Sequence, residues 1–148
     1  MSICMVKRVN MLEKILIDSD IFVALANKKD NGHGWSKKMM NKIGAGNFLL
    51  YLTSFSYGEV LTVASQKLCH DAFLLLADKI EKGNFVMIDV DEKLRLEGLK
   101  WFAKQKSKNS RFTDCVNMAV MEKYGIRRVF SRDKHYKKNG FLRLGLDD

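Results

Sequence analysis

Proline is absent from the 148 residues, and cysteine occurs only at Cys4, Cys69 and Cys115. Without proline, the ends of helices must be set by Gly, Asn and Ser. Three widely separated cysteines, with no Cys-x-x-Cys pair and no Cys/His cluster, exclude a disulfide framework and a structural zinc site, and fit a reducing cytoplasm. No apolar run approaches the roughly 18 to 20 residues that span a bilayer. The weakly charged stretch within Gly44–Gln66 is interrupted by Asn47, Thr53, Ser54 and Gly58. Lys7 and Arg8 are not followed by an apolar segment before Glu13, which argues against a secretory signal. Acidic residues are in deficit, 17 against 26 Lys and Arg, for a net charge of +9. That surplus favours polyanionic partners, nucleic acid first, although a generally basic surface accounts for it as well. What remains is 47% hydrophobic and 29% charged residues, enough apolar material for one core in one soluble domain.

Internal repeats, low-complexity tracts and linkers are also missing. Residues 1–13 read as an N-terminal extension, with Met11 an alternative start, and residues 14–148 as the domain. From there short apolar runs alternate with amphipathic stretches. Lys14–Ile17, Asn47–Leu52, Phe85–Val90 and Arg128–Ser131 have the β-branched, apolar character of buried strands, and Phe141–Leu144 is a short fifth. Between them lie a helix from Ile21 capped by Ser19, a basic helix over Trp35–Ile43, and helices from Thr53–Ser56 to Lys67 and from His70 to Lys82. The longest helix is expected over Asp91–Lys106, with Leu94, Leu96, Leu99, Phe102 and Ala103 as its apolar stripe, and a last one over Thr113–Tyr124. The alternation predicts an α/β fold: one mostly parallel sheet of about five strands with helices on both faces. In such sheets ligands bind off the carboxyl ends of the strands.

Four acids stand at or near that edge. Asp18 follows Ile15-Leu-Ile17, Asp133 follows the fourth strand, Asp114 opens the helix before it, and Glu59 lies early in the helix after the second strand. Each has an ordinary explanation alone: Asp114 as a helix N-terminal acid, Asp18 and Asp133 as loop acids, Glu59 as a helix-face carboxylate. Brought together, four carboxylates repel one another unless a cation neutralises them. Hard oxygen donors point to Mg²⁺ or Mn²⁺, and the chemistry such a cluster performs well is phosphodiester hydrolysis.

Ile17-Asp18-Ser19-Asp20, the Ser56-x-x-Glu59 segment, Thr113-Asp114 and Ser131-Arg132-Asp133 resemble, in order and spacing, the four acidic motifs of PIN-domain nucleases, over Lys14 to Leu144. In size the chain is similar to the VapC-type toxins of that family. The resemblance implies Mg²⁺- or Mn²⁺-dependent endoribonuclease activity, with Asp18, Glu59, Asp114 and Asp133 as catalytic and metal-binding acids. Asp20, Thr113 and Ser131 would support the site. It also implies an RNA substrate, a homodimer and an antitoxin protein as partner. The proline-free segment before Glu59 departs from the family's habit.

Beside these motifs, Arg111 and the Lys134-His135-Tyr136-Lys137 segment mix basic and aromatic residues and are candidate RNA contacts, or simply solvated loops. Two other readings stay open. One is a catalytically silent PIN-like module that binds RNA or protein. The other is a haloacid-dehalogenase-like phosphatase built on Asp18-Ser-Asp20, for which Phe22 and the missing downstream Gly-Asp are unfavourable.

Overall fold

The computed structural model describes residues 12–148; Cys4, Met11 and the rest of the expected extension up to residue 11 lie outside the described residues. Strands β1 (Glu13–Ile17), β2 (Phe48–Thr53), β3 (Phe85–Ile88), β4 (Arg128–Phe130) and β5 (Leu142–Arg143) form one sheet in the order β3-β2-β1-β4-β5. Every neighbouring pair is parallel. The described helices are α1 (Ser19–Ala26), α2 (His33–Ala45), α3 (Ser54–Lys67), α4 (His70–Lys82), α5 (Glu92–Ala103), α6 (Phe112–Tyr124) and α7 (Lys134–Lys138).

The central strand shows why the sheet is covered twice. Ile15 and Ile17 join one core with Ile21, Phe22 and Val60, while Leu16 points the other way into a core with Met118, Val129 and Tyr136. Successive strand residues alternate between faces, so a fully apolar run is stable only if both faces are buried. After β1 the chain pairs outward through β2 and β3, then returns to β4 on the other side of β1. The order reverses between β1 and β4, and the crevice at their carboxyl ends is where such sheets bind ligands.

Several local expectations need correction. The cap of α1 is Asp18, whose side chain accepts from the Ser19 amide; Ser19 is already helical. The longest helix is α3, with 14 residues, whereas α5 spans 12 with Asp91 as its cap. The stripe of α5 also differs. Leu94 and Gly98 are buried, but Leu96 and Leu99 are 47% and 55% exposed. Gly98 decides this: a Cβ there would meet Val116 Cγ2 of α6 at 2.7 Å, so the two helices approach along the glycine rather than along the leucines. Lys134–Lys138, for which a solvated loop is one of two readings, is a short helix capped by Asp133. Helix α6 ends at Gly125, whose φ of 66° is the left-handed conformation that favours glycine. No helix among the described residues is long and apolar enough to cross a membrane.

Candidate active site

The first residue beyond β1 is Asp18. Its amide still donates to Phe130 O at 3.1 Å, so the acid is held between β1 and β4. The carboxylate is 3% exposed and fully engaged. Oδ1 accepts from the Ser19 amide at 2.6 Å and from Asn117 Nδ2 at 3.3 Å; Oδ2 accepts from the Tyr136 hydroxyl at 2.7 Å. Behind it, Asn117 is oriented by Thr53, whose hydroxyl donates to Asn117 Oδ1 at 2.7 Å, and its own amide reaches Tyr136 Oη at 3.0 Å. Burial pushes Asp18 up to about 7, the negative charges of Asp20 and Glu59 add to it, and the Tyr136 and Ser19 hydrogen bonds oppose it.

Asp114 approaches from the first turn of α6, 4% exposed. Its Oδ2 is buried and has no hydrogen-bond partner. Burial, then the charges of Asp18, Asp133 and Glu59, push it up to about 9, with Arg111 pulling the other way. Glu59 reaches in from α3. Oε2 accepts from the Ser19 hydroxyl at 3.0 Å and Oε1 from Arg111 Nη1 at 2.8 Å. Asp133 follows β4; Oδ1 accepts from the His135 amide at 2.9 Å and lies 2.7 Å from His135 Nδ1. The four acids thus converge on the carboxyl ends of β1 and β4. Asp114, Asp133 and His135 each bring one oxygen or nitrogen within 4.8 Å of the others.

The expected supporting residues are nearby. Buried Ser131 accepts from the Asp133 amide at 3.0 Å. Asp20 accepts from the Arg132 amide at 2.9 Å, and its carboxyl is raised, chiefly by burial. Thr113 is half-buried next to Asp114 in the first turn of α6. The expected RNA contacts divide. Lys134 is exposed; Lys137 is exposed but turned toward Asp147, at 3.6 Å. Arg111 is exposed and paired with Glu59. Tyr136 is not available to stack a base: it is wholly buried, and α7 turns it inward so that its hydroxyl clamps Asp18.

Asn117 was absent from the expected site, although a buried asparagine three residues after Asp114, inside the apolar run Cys115–Met121, is a detectable signal. A divalent cation suits this donor set on two observations. Asp114 has a buried oxygen that no group in the protein satisfies. Burial, together with the charges of neighbouring acids, also raises Asp18 to about 7 and Asp114 to about 9, so their ionised forms lack a compensation that a hard cation would supply.

Comparison with known proteins agrees with this architecture. By structure the chain is similar to the Mycobacterium tuberculosis toxin VapC20, described as cleaving the sarcin-ricin loop, with a TM-score of 0.79 and 22% identity, covering 88% of this chain and 98% of that one. It is also similar to VapBC2 from Rickettsia felis, solved with a DNA fragment from their promoter, at a TM-score of 0.65 and 12% identity over 88% and 96% of the two chains. FitAB bound to a DNA fragment follows at 0.57 and 16%, over 87% and 92%. At such identities the likeness is one of fold. No curated protein matches the sequence. The PIN domain family does match it, over residues 15–142, and the chain belongs to that family.

Proposed function

We propose that this protein is a Mg²⁺- or Mn²⁺-dependent endoribonuclease, the toxin of a toxin–antitoxin pair acting in the cytoplasm. The observation that carries the reading is that the charges of Asp18, Asp133 and Glu59 all act on Asp114 at one sheet edge, where a buried Asp114 oxygen is left unpartnered. Asp18, Glu59 and Asp114 would hold the ion, with Asp133 beside them; when bound, it supplies charge neutralisation and makes water a better nucleophile at neutral pH. The protein's own part is orientation. Tyr136 and Asn117 fix the rotamer of Asp18, while Ser19 and Arg111 fix Glu59. Arg111 and Lys134, exposed beside the acids, attract the phosphates of a single strand.

Partners follow from the surface. The groove between α1 and α4, lined by Phe22, Leu25, Met40, Leu75, Leu76 and Phe85, is an apolar face of the kind a protein partner covers, and an antitoxin fits it. Exposed Leu96 and Leu99 on α5 offer a second such face, suited to a homodimer. The phosphatase alternative has no support in the PIN match. The silent binding module remains the rival, and it makes a different forecast for the metal.

The test uses the purified chain on total cellular RNA, tRNA and ribosomal RNA included, with Mn²⁺, Mg²⁺ or EDTA. Discrete cuts that need the metal, and that fall about a hundredfold or more in Asp114→Asn, are the expected result. No cleavage together with no Mn²⁺ binding by calorimetry would establish the binding module instead.

A further inference from the structure

Resting on the metal-nuclease reading above, we propose that His135 is itself a ligand of the ion, so that the site prefers Mn²⁺ to Mg²⁺. The acids are not equally free to receive a cation. Asp18 has both oxygens engaged, by Ser19, Asn117 and Tyr136, and Glu59 has both engaged, by Ser19 and Arg111. Asp114 is different: 96% of its surface is buried, since it is 4% exposed, and Oδ2 has no partner. The donors that gather with Asp114 are Asp133 and a ring nitrogen of His135, all within 4.8 Å of one another. Octahedral ligands about 2.1 Å from an ion lie about 3 Å apart when adjacent and about 4 Å apart when opposite. The three groups therefore need only small adjustments to share one ion.

Helix α7 makes this arrangement. Asp133 caps it by accepting the His135 amide, which returns the His135 ring over the same carboxylate, with Nδ1 2.7 Å from Oδ1. The ring is 18% exposed, close enough to solvent to exchange that contact for a metal bond. Imidazole is a borderline donor that suits the transition ions, whereas Mg²⁺ demands oxygen and keeps its waters. An imidazole in an otherwise all-oxygen set should therefore tilt the choice of ion toward Mn²⁺.

The experiment is pulsed electron paramagnetic resonance of Mn²⁺ on the full chain, with calorimetry of Mn²⁺ and Mg²⁺ on wild type and His135→Ala. The wild type is expected to show ¹⁴N couplings of a directly bonded imidazole. The variant should lose them, and its Mn²⁺-over-Mg²⁺ preference should fall on the order of tenfold. The cap of α7 uses the backbone of residue 135, so the variant keeps it, and the wild-type spectrum needs no variant at all. Mn²⁺ binding without ¹⁴N coupling, with both ions weakened in parallel by the variant, would overturn the proposal; His135 would then only orient Asp133, and the nuclease reading would stand. Absence of Mn²⁺ binding altogether would overturn both.

Discussion

Asp18 and Asp114 are almost equally buried, yet the protein treats them in opposite ways. Around Asp18, at the end of β1, each carboxylate oxygen has a donor, and those donors are supported in turn by Thr53 and Asn117. Around Asp114, at the start of α6, a buried oxygen faces no donor, and the charges that act on it most are those of other acids. A buried carboxylate without compensation costs stability. The first acid is thus fixed in one orientation by the domain itself, and the second is left for something the chain does not contain. Sites that violate local satisfaction in this way are where function is expected.

The largest effect that sharpens this contrast is on pH. Between the ordinary value of 3.8 and folded values of about 7 for Asp18 and about 9 for Asp114, the metal-free native state keeps protons that the unfolded chain has released. Stability from these groups is complete below about pH 4 and declines as pH rises, the Asp18 part levelling off near 7 and the Asp114 part near 9. Denaturant titrations in EDTA at about pH 5, 7 and 9 should fall by on the order of a few kcal/mol in total. Saturating Mn²⁺ holds both acids ionised and should flatten the curve. A metal-free protein equally stable at all three values breaks the contrast.

Next in size is a split between two matched substitutions. Asp114→Asn replaces a carboxyl that must take up a proton on folding by a group that is always neutral, and should stabilise the metal-free protein by about 1–3 kcal/mol, a rise of a few degrees in Tm. Asp18→Asn replaces an acceptor that serves four donors by a group that must present an amide to one of them, and should destabilise by about the same amount. Both variants lose cleavage. Thermal melts in EDTA at neutral pH read the sign directly, and shifts of the same sign in both would show that the two acids share one environment.

The contrast also marks how far the sequence could be read. The alternation of apolar runs with amphipathic stretches, and the rule that ligands sit off strand ends, were enough to bring Asp18, Glu59, Asp114 and Asp133 to one edge. The packing partners were not legible. Tyr136 lies in a five-residue helix, too short to show a period, so nothing local says that it faces inward. In α5 the leucines form a convincing stripe, yet close approach to α6 selects Gly98, a residue with no hydrophobic signal. Asp18 and Ser19 are about equally good caps, and β1, which ends at Ile17, leaves Asp18 at the turn and the Ser19 hydroxyl free to reach Glu59. In each case a tertiary contact decided what local preference alone could not.

The smallest effect concerns Arg111, whose guanidinium pairs with Glu59 of the cluster. Its side chain is 68% exposed, and exposed pairs contribute little because water screens them and the side chain loses freedom. Arg111→Ala should therefore change stability by no more than about 1 kcal/mol. Its effect on the acids should be larger than its effect on the fold. Glu59 Oε1 loses its partner and the local positive charge disappears, so Mn²⁺ should bind more tightly, by a few-fold at low salt and less at high salt, where screening hides the lost charge. Calorimetry at two ionic strengths, beside a thermal melt, separates the two consequences. A large loss of stability with unchanged metal affinity would mean that Arg111 serves as the cluster's internal counter-ion, and Asp114 would then be less of an exception than its unpartnered oxygen makes it.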